Sequence, residues 1–140
     1  MFQLYLMTVL TTVLSGLALA SAFLSERFER FADYTDFMGN TGYRVVLGAV
    51  SIFIGVANLF RTYEGDIPVA GDLFPSLAGM VTGVLLIAEY INTRKSDDST
   101  TSGDFAGKVE RISAPYLSII GVSSVIIGIL HAVMPRLPLL

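Results

Sequence analysis

Few side chains in this chain are capable of chemistry, and they sit at the ends of its apolar runs. Glu26 and Glu89 close the first and third runs, and Arg44 opens the second. Asn58 lies near the end of the second, and His131, the only histidine, near the end of the fourth. A carboxylate close to hydrocarbon is costly unless paired or wet, and such residues are often functional. Glu89 precedes Arg94 by enough helix to lie roughly 7 Å deeper in the membrane. Arg44, expected on the same side, is its natural partner. The plain reading of Glu26, Glu89 and Arg44 is interfacial ion pairing; the sharper one is a proton or cation site at an inner mouth. Asn58 and His131 have two readings as well. They close a helix seam by hydrogen bonding, or they form a paired outer site in which an imidazole titrates near neutral pH. One histidine and one asparagine make a poor metal site in a single chain, so no metal is expected.

Other chemistry is excluded residue by residue. Cysteine is absent, which removes disulfides, thiol redox chemistry and thiolate metal ligation. The glycines follow helical spacing rather than a phosphate-binding loop, and haem would find only one axial candidate. Neither enzymatic activity nor a cofactor is expected. The net charge of -3 argues against a nucleic-acid partner.

The elements that must position these residues follow from composition. Of 140 residues, 53% are hydrophobic and 15% charged, against about 25% charged in a soluble domain. The apolar residues come in runs long enough to cross about 30 Å of hydrocarbon at 1.5 Å per residue. Four transmembrane helices are predicted, over 2–24, 43–60, 73–92 and 115–134, in one integral membrane domain spanning 1–140. The first run ends in Ala-Leu-Ala-Ser-Ala, which resembles a signal-peptide cleavage site. No basic residue precedes it and the run is too long for a signal sequence, so an uncleaved span is expected. Glu26 to Phe37 alternates aromatic and charged residues at about one helical turn, as in an inward extension of the first helix or a short interfacial helix. Ser96 to Gly107 reads as a flexible polar linker.

Seven of the nine Lys and Arg fall in two connections: Arg27, Arg30 and Arg44, then Arg94, Lys95, Lys108 and Arg111. The positive-inside bias therefore places segments 25–42 and 93–114 in the cytoplasm and both termini outside. The expected location is a prokaryotic inner or plasma membrane.

The chain also repeats itself. Residues 43–60 align with 116–133 at an offset of 73, matching Tyr43 to Tyr116, Gly48 to Gly121, Ser51 to Ser124, Ile54 to Ile127 and Gly55 to Gly128, with Asn58 opposite His131. At an offset of 63, Leu14 meets Leu77, Gly16 meets Gly79, Ala20 meets Gly83 and Glu26 meets Glu89. The matches fall on glycines and polar residues rather than on interchangeable aliphatics. This predicts an all-α membrane protein of four transmembrane helices arranged as two parallel two-helix repeats, 1–63 and 64–140, related by a pseudo-two-fold axis along the membrane normal. Gly48, Ser51, Gly55 and Asn58 fall on one helical stripe, as do Gly121, Ser124, Gly128 and His131. Gly16 with Ala20 and Gly79 with Gly83 are small-residue steps. In lipid, close backbone approach over small residues is a main source of helix attraction, so these stripes are predicted packing seams.

The interior expected from this pattern holds only hydroxyls at mid-membrane, Ser15, Ser21, Ser51, Thr82, Ser123 and Ser124, and no deep carboxylate for proton-coupled antiport. The expected function is therefore a structural or accessory subunit that self-associates, or binds another membrane protein, through its small-residue seams. The alternative is a small oligomeric ion channel or solute transporter with polar residues at both mouths. The expected partners are the lipid bilayer and copies of the chain or a larger membrane complex.

Overall fold

The computed structural model describes residues 2–60, 73–95 and 105–134. It is all-helical, with helices α1 (Phe2–Arg27), α2 (Glu29–Gly39), α3 (Thr41–Leu59), α4 (Leu73–Lys95), α5 (Phe105–Ser113) and α6 (Leu117–Val133). Four stretches are long and apolar enough to cross a membrane: Gln3–Arg27, Thr41–Leu59, Leu73–Asn92 and Gly107–Val133.

Local chemistry sets the helix boundaries. α1 stops where Phe28 adopts extended dihedrals (φ -132, ψ 108), and α2 starts at the next residue. The aromatic and charged stretch after α1 is thus a separate short helix rather than an extension. It leaves Phe28, Tyr34 and Phe37 exposed. Asn40 ends α2 and caps α3, its Oδ1 accepting from Tyr43 N at 3.2 Å; such a cap satisfies a backbone donor left over at a helix start. Pro75 sits in the first turn of α4, where its missing N–H costs little.

One expectation is corrected. Residues 105–107, read above as the end of a flexible linker, open helix α5, and the remainder of that linker lies outside the described residues. Lys108, Glu110 and Arg111 give the segment a loop-like polarity, but Val109 packs against the apolar core. An amphipathic helix is therefore the better solution. A 3₁₀ turn, Ala114–Tyr116, with Pro115 inside it, carries the chain from α5 into α6, so the last span starts as a bent approach rather than a straight helix.

The helices pair antiparallel, α1 with α6 and α3 with α4, and α1 also packs against α4 and α3. Glycine makes both pairs close. A Cβ on Gly16 would lie 2.7 Å from Gly121 O, and one on Gly121 would lie 2.7 Å from Gly16 O. In the other pair, a Cβ on Gly83 would lie 2.6 Å from Gly48 O, and one on Gly48 would lie 2.9 Å from Gly83 O. No side chain fits at such distances, so each crossing is a direct contact of backbones. Gly55 and Gly128 act likewise further along, against Met80 and Ser76 and against Val13 respectively. Gly79 is looser, with Ser51 O and Thr12 Oγ1 each 3.6 Å from a Cβ there.

The interior changes character along its length. Towards the end carrying α2 and α5 it is apolar, built from Ala18, Leu19, Leu47, Leu85 and Leu86. Towards the other end it is polar, with Thr8, Thr12, Ser15, Ser51, Ser76 and Thr82 buried. Three of these six hydroxyls donate to a carbonyl one turn back: Thr8 to Leu4 O (2.8 Å), Ser15 to Thr12 O (3.3 Å) and Thr82 to Ala78 O (2.8 Å). A helix can bury such groups at little cost for that reason.

Candidate functional site

The charged site lies at the α2/α5 end. Arg44 projects from the first turn of α3. Its Nη1 is 2.5 Å from Glu89 Oε1 on α4, and its Nη2 donates to Ala18 O on α1 at 2.6 Å. One guanidinium therefore ties three helices together, with its planar fork splitting between a carboxylate and a helix carbonyl. The Arg44 side chain is 16% exposed and that of Glu89 36%, so the pair sits at the edge of the bundle, with its arginine half tucked inside.

Glu89 also lines a small cavity of about 60 Å³. Its other walls are Leu85 and Ala88 on α4, Ser113 at the end of α5, Ala114 in the 3₁₀ turn and Leu117 at the start of α6. The lining is therefore apolar on most sides, with a carboxylate and a buried serine as its side-chain oxygen donors. Glu26 does not join this arrangement. It is exposed near the end of α1, and the ion pair at this end joins Arg44 to Glu89.

The opposite end brings the other two candidates against α1. Asn58 Nδ2 donates to Thr8 Oγ1 at 2.5 Å, and Tyr5 Oη donates to His131 O at 2.5 Å. The Tyr5 and His131 rings lie 4.8 Å apart, tilted by 46°. Both Asn58 and His131 are buried, the latter to 1% exposure. Each therefore fastens the end of its own helix to the start of α1.

Between the two ends, Ser15 and Thr82 meet hydroxyl to hydroxyl at 2.7 Å where α1 touches α4. Ser51 Oγ and Ser76 Oγ are buried without a hydrogen-bond partner. The ten small residues of the seams, Gly16, Ala20, Gly48, Ser51, Gly55, Gly79, Gly83, Gly121, Ser124 and Gly128, are all buried inside the single chain. Among the described residues, no three His, Asp or Glu side chains gather as a metal site would require.

Tyr5, Thr8, Ser113 and Leu117 are the participants that sequence reasoning missed. A signal for the first two was present. Tyr5, Thr8, Thr12 and Ser15 are spaced as Gly48, Ser51, Gly55 and Asn58 are, which puts them on one face of α1. Ser113 and Leu117 carried none, because the turn that brings them to Glu89 depends on where α5 packs.

What the arrangement does is hold a guanidinium between a carboxylate and a helix carbonyl, which joins α1, α3 and α4. No match is found among curated proteins or among solved structures. The model of a protein family of unknown function does match, over residues 1–131, and the chain belongs to that family.

Proposed function

We propose that this protein is a structural or accessory membrane subunit, built as two parallel two-helix repeats that fold into one closed four-helix unit. The observation that carries this reading is the state of the interior. Both helix crossings are backbone contacts, and Ala18, Leu19, Leu47, Leu85 and Leu86 fill the bundle across its width. Because the seams are spent inside the chain, association with a copy or another membrane protein would use the outer apolar faces, where Phe53 is 74% and Phe60 84% exposed.

The contacts speak for the duplication, in a corrected register. An offset of 73 relates α3 to α6, as the sequence has it, but α1 relates to α4 by 67 rather than 63. With those offsets Gly16 against Gly121 becomes Gly83 against Gly48, and Val125 becomes Ile52. Val13 on Gly128 likewise becomes Met80 on Gly55. Ser15 and Thr82, themselves 67 apart, touch each other, as two equivalent residues do on a two-fold axis. The registers differ by four residues, about one turn, so both present the same helix face. In the corrected register the counterpart of Glu89 is Ala22 rather than Glu26, and that of Arg44 is Leu117. The proposed topology keeps α2 and α5 on the cytoplasmic side of a prokaryotic inner membrane, on the strength of the lysine and arginine distribution.

A second reading, passage of an ion or small solute, draws on the buried hydroxyls from Thr8 to Thr82. Liposome flux assays on the wild type, Glu89→Gln and His131→Ala separate the two. Under the structural reading the wild type conducts no more than empty liposomes; flux that falls in both variants would overturn it. Since the chain has no cysteine, Phe53→Cys gives a clean cross-linking probe in native membranes, and a cross-linked species is the expected result.

A further inference from the structure

We infer that a water molecule is bound inside the bundle beside Gly79, where α1, α3 and α4 meet, and that the hydroxyls of Ser51 and Ser76 hold it. Those two hydroxyls are the first argument. Ser51 is 1% exposed and Ser76 0%, and neither Oγ has a hydrogen-bond partner in the protein. Buried polar side chains are in large majority bonded, to protein or to ordered water. A buried water sits where otherwise unsatisfied polar groups give it two to four partners.

Room is the second. Along this seam Gly55 meets Ser76 O, and Gly79 meets Ser51 O. A Cβ on Gly48, Gly55 or Gly83 would come within 2.9, 2.7 or 2.6 Å of the facing helix, but one on Gly79 would keep 3.6 Å from both Ser51 O and Thr12 Oγ1. The seam is thus wide enough at Gly79 for one small group. Such a group has hydroxyl-bearing neighbours on three helices: Ser51 on α3, Thr12 on α1, and Ser76, three residues before Gly79 on the same side of α4. Thr12 Oγ1 donates to Pro75 O over a long 3.4 Å, and its lone pairs remain able to accept from a water.

The third argument is the other helix pair. Ser124 on α6 is the counterpart of Ser51 by the offset of 73, and it donates to Ile120 O one turn back at 2.8 Å. Ser51 does not make the equivalent bond to Leu47 O. By the offset of 67, Gly79 is the counterpart of Thr12. α1 thus carries a hydroxyl side chain where α4 has only a hydrogen, and a water beside Gly79 restores an oxygen near that position. This third argument rests on the two-repeat reading; the first two do not. The site is independent of whether the protein conducts.

The test is thermal unfolding of the purified full chain in detergent, with Gly79→Ala placed in two backgrounds. A Cβ at Gly79 makes ordinary contacts, so in a dry seam the substitution should raise Tm, as replacing a mid-helix glycine by alanine does. With water bound, the methyl displaces it and strands both serine hydroxyls, and Tm should instead fall by about 4 °C. In the double variant Ser51→Ala with Ser76→Ala no water is held, and the same substitution should raise Tm. A rise in both backgrounds overturns the site, because the seam is then dry. A fall of equal size in both overturns it too, because the effect is then steric. The second measurement needs no glycine variant: polarisation transfer from water, read by solid-state NMR of the wild type in bilayers. Transfer to Ser51, Ser76 and Gly79 is expected, and none to Gly16 and Gly121, whose backbones touch. Absence of transfer to Gly79 overturns the site whatever Tm shows, since the serines then bond to carbonyls of their own helices. Transfer to Gly79 that survives in the double serine variant also overturns it, since other groups then hold the water.

Discussion

The α1/α6 and α3/α4 pairs cross in the same way and finish differently. At each crossing two glycines face each other, and each backbone carbonyl occupies the place where the opposite Cβ would be. At the α2/α5 end the resemblance stops. α3 carries Arg44 in its first turn, reaching to α1 and α4, whereas α6 begins with Leu117 beside a cavity. Closeness of helices in lipid depends on small residues, and neither pair can give those up without losing its crossing. A charge at a helix end contributes less to assembly, so the two pairs need not carry the same residue there. The two pairs share their packing and differ in their chemistry.

Four experiments break or sharpen that comparison. The largest effect is expected at the crossings: Gly83→Leu and Gly121→Leu should both fail to give a monodisperse protein by size-exclusion chromatography. The milder Gly83→Ala and Gly121→Ala should each cost about 1–3 kcal/mol in thermal unfolding, as overpacking does. Gly39→Ala, where nothing lies within 4 Å of an added Cβ, is the control and should be close to neutral. A large difference between the two crossings would separate the pairs where they are argued to be alike.

Next comes the end at which they differ. Arg44→Leu makes α3 resemble α6, but it leaves Glu89 without its guanidinium, and a loss of about 2 kcal/mol is expected in denaturant or thermal unfolding. The double variant Arg44→Leu with Glu89→Leu should recover most of that, because no half-buried charge is left unpaired. A double variant no more stable than the single one would mean that Arg44 acts mainly through Ala18 O.

Smaller effects belong to the contact between the pairs. Ser15→Ala and Thr82→Val should each cost about 0.6 kcal/mol, the usual size of a hydrogen bond between membrane helices. The two losses should be non-additive, since either variant removes the same bond. At the far end, Thr8→Val and Tyr5→Phe should each cost about 0.5–1 kcal/mol. The first releases Asn58 on α3 and the second the His131 carbonyl on α6, so similar losses are expected if α1 fastens both helices alike.

Much of the fold was legible in the residues. Runs of apolar side chains set the four long helices, because a segment from which water is excluded must satisfy its backbone polar groups internally, as a helix does. The stripe through Gly48, Ser51 and Gly55 could be read as a packing face because helical periodicity is a local property. Arg44 and Glu89 could be named as partners because a charge near hydrocarbon needs its opposite. α5 was hidden, since three charged residues in nine outweigh Val109 until a core is present to receive it. The cavity was hidden for a similar reason: its walls come from α4, α5, the 3₁₀ turn and α6, four pieces whose meeting no local pattern encodes.

By itself the sequence determined where the membrane helices run, which faces are small enough to touch and which few side chains carry charge or hydrogen-bonding capacity. Those properties depend on residue type and on a helical period of 3.6, both of which can be read one segment at a time. Only the tertiary structure decided which seam meets which, that the α1/α4 contact is made by Ser15 and Thr82 at an offset of 67, and that Leu117 faces a cavity instead of filling it. A helix presents nearly the same face one turn later, so the sequence leaves neighbouring registers almost equivalent. The closest approach of two backbones, at Gly16 with Gly121 and at Gly48 with Gly83, picks one of them.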